Sequence, residues 1–73
     1  MTRIDLLRSH EAYAYQVAYY LLRKEEPAAA AAQEALLAVA ADRGFFSLPP
    51  SMRESWIKRQ VMKEALAVRL KRA

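Results

Sequence analysis

Residues 27–42 read Pro27-Ala-Ala-Ala-Ala-Ala-Gln33-Glu34-Ala-Leu-Leu-Ala-Val-Ala-Ala-Asp42. Alanine has the highest intrinsic helix propensity of any residue, so the run Ala28 to Ala32 predicts a helix and not a linker. Ala29, Ala32, Leu36, Val39 and Ala40 recur at helical spacing and are expected to face inward. Pro27 is expected at the first helical position, where its missing N–H would have had no partner. Glu25 and Glu26 precede it, where the positive end of the helix dipole favours carboxylates.

Beyond Asp42 lies a second break, Arg43 to Pro50. Gly44 is expected in the left-handed conformation that terminates helices. Pro49 and Pro50 are expected to hold off the next helix until Ser51, which reads as its N-cap. The helix that follows spans about Met52 to Lys71, with Ile57, Val61, Ala65 and Val68 on one face and Met62, Leu66 and Leu70 flanking it. Before the first break, a single helix is expected over Arg3 to Arg23, with Leu7, Ala14, Val17, Ala18 and Leu21 on one face. Nothing reads as strand. The expected fold is all-α, a three-helix bundle filling one domain, residues 1–73.

A domain of 73 residues buries a limited share of its surface, but a hydrophobic content of 55% suffices for a packed core and argues against disorder. The absence of cysteine excludes a disulfide scaffold, a thiolate metal site and a cysteine nucleophile, and fits a cytoplasmic protein. No apolar run approaches the roughly 18 residues that span a bilayer. Met1 to Arg8 interleaves charge with leucine, unlike a signal peptide.

Enzyme chemistry finds no foothold in the residues, and neither a cofactor nor a metal is expected. The one histidine, His10, lies near Leu7 and Ala14 and reads as a helix-packing residue with a satisfied hydrogen bond. No second histidine or close carboxylate pair completes a ligand set. Gly44 is the only glycine, so no phosphate-binding loop exists. Ser9, Ser47, Ser51 and Ser55 lack a base and an orienting group. Tyr13, Tyr15, Tyr19 and Tyr20 crowd one segment and cannot all face one core, so some are expected at its wet edge or at a partner surface.

Charge points elsewhere. Residues 1–50 carry five Lys/Arg and six Asp/Glu, a balance of −1, whereas residues 51–73 carry seven and two, a balance of +5. A basic final third beside a near-neutral body suggests an anionic partner, nucleic acid before an acidic protein or a membrane. In that third, Arg53, Trp56, Gln60 and Lys63 fall at i, i+3, i+7 and i+10, bordered by Arg59, largely off the Ile57–Val61–Val68 face. Lysine and arginine meet phosphates, glutamine bonds an adenine edge, and tryptophan offers a flat surface to an unstacked base. A solvated basic face with a tryptophan wedged into the bundle gives the same pattern.

The order of residues resembles region 2 of bacterial RNA polymerase sigma factors of the extracytoplasmic-function type. His10, Tyr15, Ala18 and Leu21-Leu22 look like that region's opening helix. Gln33-Glu34-Ala35-Leu36-Leu37 is similar to its polymerase-binding helix. Ser55-Trp56-Ile57-Lys58-Arg59-Gln60-Val61-Met62, running on to Arg69, Lys71 and Arg72, resembles the stretch that engages the minus-ten promoter element. The resemblance implies a bacterial, cytoplasmic transcription-initiation protein. It implies that Gln33 and Glu34 contact the clamp helices of the polymerase largest subunit, with Leu37, one turn on, projecting from a neighbouring part of the same helix as a further candidate contact. It also implies that Trp56, Arg59 and Gln60 meet promoter DNA, and the stripe on which they lie adds Arg53 and Lys63 as candidate DNA contacts. A second DNA-binding unit, on a continuation of the chain or on a separate chain, is expected with it. The chain departs from the family at Ala29 and Ala30, where acidic residues are usual, and at Lys63 and Ala67, where Asn and Asp are common. The Phe45–Pro50 loop is unusual too. The alternative is a sigma-like interaction module or mimic that binds an anti-sigma factor or the polymerase clamp without acting on DNA.

Overall fold

A computed structural model describes residues 2–72, with the side chains of Lys71 and Arg72 outside the description. Among the described residues there are five helices and no strand: α1 (Arg3–Ser9), α2 (Glu11–Leu22), α3 (Glu25–Ala41), α4 (Arg43–Phe46) and α5 (Pro50–Arg72). The long helices α2, α3 and α5 pack pairwise against one another, and α1 and α4 close one end. At 1.5 Å per residue the 23 residues of α5 span about 35 Å, so this helix sets the 38 Å long axis of the molecule.

The expected first helix is two. Thr2 caps α1, its hydroxyl accepting from the Asp5 N–H at 3.1 Å while the Asp5 carboxylate accepts from the Thr2 N–H. At the other end the Ser9 hydroxyl donates to the Leu6 carbonyl at 2.6 Å, and the His10 N–H turns back to Leu7 at 3.0 Å. These local bonds compete with the helical ladder and end it. His10 then starts α2, half-buried, with Phe45 edge-on to its ring at 6.3 Å.

The α2–α3 turn places the left-handed residue at Arg23 (φ 60°), not at Gly44, which has no positive φ. The Arg23 N–H caps the Tyr19 carbonyl at 2.7 Å. Lys24 is the N-cap of α3, so Pro27 is its third helical residue and not its first. The position is tolerated because no N–H in the first turn has an intrahelical partner. The ladder opens one residue later, from the Ala28 N–H to the Lys24 carbonyl at 3.1 Å.

The seam of α3 is also displaced from the expected one. Ala28, Ala31, Ala32, Ala35 and Val39 are buried, while Ala29 and Ala40 are exposed. In a stretch so rich in alanine, periodicity cannot fix the phase, and contact with α2 and α5 does. Ala14 and Ala18 of α2 join the same cluster with no exposed surface. Methyl groups at the seam allow helix axes to approach toward the short end of the usual range, about 8 Å.

Between α3 and α5, where a plain loop was expected, α4 makes one turn. Asp42 ends α3 and caps α4, accepting from the Gly44 N–H at 2.8 Å. A Cβ on Gly44 would stand 3.1 Å from the Asp42 carboxylate, so close approach and not backbone hand favours glycine here. The turn drives Phe45, fully buried, into the core, where it meets Phe46 edge-on at 5.3 Å. Pro50 and not Ser51 opens α5, as suits a residue with no N–H to satisfy. The largest fully buried side chains are Phe45, Ile57, Val39 and Val61.

Two outcomes are expected in urea unfolding followed by circular dichroism. Ala31→Leu overpacks the seam and lowers stability by about 1–3 kcal/mol, whereas Ala29→Leu, on the exposed side, changes it by less than about 0.5 kcal/mol. Phe45→Ala leaves a cavity and costs about 3–5 kcal/mol.

Candidate nucleic-acid and protein interfaces

The buried arc of α5 is broad, because α2 and α3 both cover it. Ile57, Val61 and Ala65 form its centre. Arg53, Trp56 and Gln60 are half-buried along one shoulder, and Trp56 packs against the core cluster. These three residues therefore border the apolar face and do not occupy a separate one. Arg59 and Lys63 continue the same strip into full exposure. The five sequence-predicted DNA residues thus form one band from core edge to solvent, with Arg59 and Lys63 outermost and Arg53 at the core edge.

Arg53 is the least solvated cation of the band. Its Nε is buried with no hydrogen-bond partner. It lines a shallow cleft of about 230 Å³ with Thr2, Arg3, Leu6 and Phe46, and the Arg3 guanidinium lies 5.0 Å from the Phe46 ring centre. Arg3 thus brings a second guanidinium to the band's N-terminal end. Sequence alone gave no sign of this, since α1 and α5 are joined only by the fold.

On α3, Gln33, Glu34 and Leu37 are all exposed, Leu37 at 58%. Gln33 and Leu37 share a groove of about 250 Å³ with Ile4, Leu7 and Arg8 of α1, whereas Glu34 lies outside it. Ile4, 65% exposed, is the apolar residue of this surface that sequence reasoning missed. Its only signal was a position off the expected inward stripe of the first helix.

The tyrosines divide as their number required. Tyr13 and Tyr15 pack at the core edge, while Tyr19 and Tyr20 are exposed. Tyr15 stacks on Tyr19 at 6.0 Å, and the Arg23 guanidinium sits 5.1 Å from the Tyr20 ring centre. Met62, Leu66 and Leu70, expected to flank the core, are exposed at 41%, 58% and 77%. Among the described residues, no helix covers that side of α5. Among the described residues, no three His, Cys, Asp or Glu side chains are placed to hold a metal ion, and no helix is long and apolar enough to cross a membrane.

The chain matches no protein-family model, no curated protein and no solved structure. The all-α bundle and its two surfaces therefore rest on the residues and geometry above.

Because its Nε has no partner, Arg53 is replaceable. Arg53→Met keeps the apolar stem and removes the orphan donor, so stability stays level or rises by about 1 kcal/mol. Trp56→Ala, by contrast, strips a packed ring from the core edge and costs on the order of 2 kcal/mol. Thermal unfolding of both variants checks the pair.

Proposed function

We propose that this chain is a non-catalytic, sigma-like transcription-initiation domain, which binds RNA polymerase core through α3 and engages the minus-ten promoter element through α5. One observation supports the reading above the others: Trp56 is half-buried at the edge of the bundle, with Gln60 beside it and Arg59 and Lys63 exposed next to it. A ring held by the core on one side and accessible elsewhere is a rigid platform for an unstacked base. The neighbouring cations meet phosphates, and the Gln60 amide has the donor and acceptor that an adenine edge requires. Gln33, Glu34 and Leu37 stand exposed on a different helix, so polymerase and DNA need not compete for one surface. Polymerase binding comes first and presents the melted strand, and stacking and phosphate contacts then offset the cost of unstacking. Such a role is carried out in the cytoplasm and requires a second DNA-binding unit, on this chain or another.

A second reading has its own support. Ala29 and Ala30, where the resemblance calls for acidic residues, are exposed, so packing does not demand alanine there. An uncharged face beside Gln33 suits a sigma-like interaction module that occupies an anti-sigma factor or the polymerase clamp without acting on DNA.

Two measurements test the reading, and the second separates it from the alternative. Gln33→Ala combined with Glu34→Lys abolishes pulldown of polymerase with little loss of stability, since both residues are exposed; undiminished capture rejects the α3 surface. With polymerase present, minus-ten-like single-stranded oligonucleotides bind wild type more tightly than Trp56→Ala, by about 1–3 kcal/mol. Gln60→Ala relaxes preference at one base, and Lys63→Ala lowers the salt slope by about 0.7 without sequence dependence. Folded variants that match wild type throughout leave the mimic as the function.

A further inference from the structure

Beyond Arg59 and Lys63, the outer edge of the Trp56 band, α5 carries an apolar strip that DNA binding does not use. Met62 and Leu66 are exposed and lie with Leu21 of α2 at one groove. Along α5, Met62 and Leu66 are flanked by Lys58, Arg59 and Lys63 on the helix's own open face. In the other direction the groove passes Arg69 and reaches Arg23 and Lys24 at the α2–α3 turn. Among the described residues that line this groove, the open face beside it and the cleft at the α2–α3 turn there is no acidic side chain.

We propose that this groove docks an acidic amphipathic helix of a partner protein, with the helix's apolar face against Leu21, Met62 and Leu66 and its carboxylates meeting the flanking lysines and arginines. An apolar floor with a basic rim is the complement of such a helix, whose anchors recur at i, i+3, i+4 and i+7. Methionine and leucine at the floor adapt to the shape of an incoming side chain. The other occupants fit less well. Nucleic acid gains nothing from a floor that has no aromatic ring to stack on and no amide to read an edge. An anionic membrane is held through aromatic anchors at its interface, and this surface has none. A second copy of the chain brings like charge to like charge. The inference does not rest on the transcription reading: it shares the outer cations Arg59 and Lys63 with the DNA band, but its floor of Leu21, Met62 and Leu66 and its ligand are different.

The test uses the intact chain and a fluorescein-labelled helical peptide with leucine at i, i+3, i+4 and i+7 and glutamate elsewhere. Its partners are a scrambled peptide of identical composition, a single-stranded oligonucleotide and vesicles rich in phosphatidylglycerol. Fluorescence anisotropy is expected to show the patterned peptide binding about tenfold tighter than the scrambled one, with affinity falling as salt rises. Leu66→Lys is the informative variant. Leu66 is 58% exposed, so the fold survives, and the change adds positive charge while removing floor. Weaker binding of the patterned peptide by Leu66→Lys, with helicity intact, supports docking. Unchanged or tighter binding means that charge alone attracts the peptide, and overturns the proposal. So do equal affinity for the scrambled peptide, loss of oligonucleotide or vesicle binding in parallel with the peptide, and a dimer in sedimentation that Leu66→Lys dissociates. Gln60→Ala, in the DNA band, leaves peptide binding unchanged, so failure of the DNA reading and failure of this one give different results.

Discussion

Close approach at the alanine seam of α3 is the constraint on which the rest of the molecule depends. Ala28, Ala31 and Ala35 are sealed from solvent together with Ala14 and Ala18 of α2. Methyl groups contribute little burial each, so this seam gains its stability from proximity and from many small dispersion contacts. It also spends the small residues of the core in one place, which leaves the bulk to be filled from elsewhere. That bulk comes from Phe45, Ile57, Val61 and Val39. The one-turn helix α4 exists to deliver the largest of them, and Asp42 holds its first turn by capping Gly44.

The same economy decides what α5 can offer to partners. It is the longest helix, 23 residues, and two neighbours cover only part of its circumference. Its remaining surface carries most of the chain's excess positive charge and also Met62, Leu66 and Leu70. Two chemically different strips result, one with a tryptophan and an amide, the other with a floor of aliphatic and thioether side chains. Arg59 and Lys63 lie between them and serve whichever anionic partner is present.

Legibility of the candidate sites follows from how local their geometry is. That Gln33 and Leu37 share a face could be read from one helix, because residues three and four apart are neighbours, and the polarity of Gln33 and Glu34 pointed that side to solvent. The half-burial of Trp56 could be anticipated as one of two outcomes of a tryptophan beside an apolar face. The proximity of Ile4 to Leu37 and of Arg3 to Arg53 could not, because each pair is brought together by the turn at Ser9–His10 and by the packing of α1. That turn depends on a hydroxyl-to-carbonyl bond whose formation no periodicity signals.

Local propensity was enough to determine an all-α chain with three long helical stretches and breaks near Lys24 and before Pro50, because alanine, proline and capping residues act within a turn of themselves. Charge asymmetry, too, is a property of order alone. Phase and handedness were left to the tertiary structure. A homogeneous alanine stretch has no moment to orient it, so α3 rotated until Ala28, Ala31 and Ala35 met the neighbouring helices and Ala29 met solvent. The left-handed position went to Arg23 and not to Gly44, because the α2–α3 turn needed it whatever residue stood there, while Asp42 claimed Gly44 as a capping partner. Met62 and Leu66 read from the sequence as flanks of the apolar face, and they are surface because no described helix covers them. A sequence states which faces are apolar, and the number of neighbours available to cover them is settled only when the helices assemble.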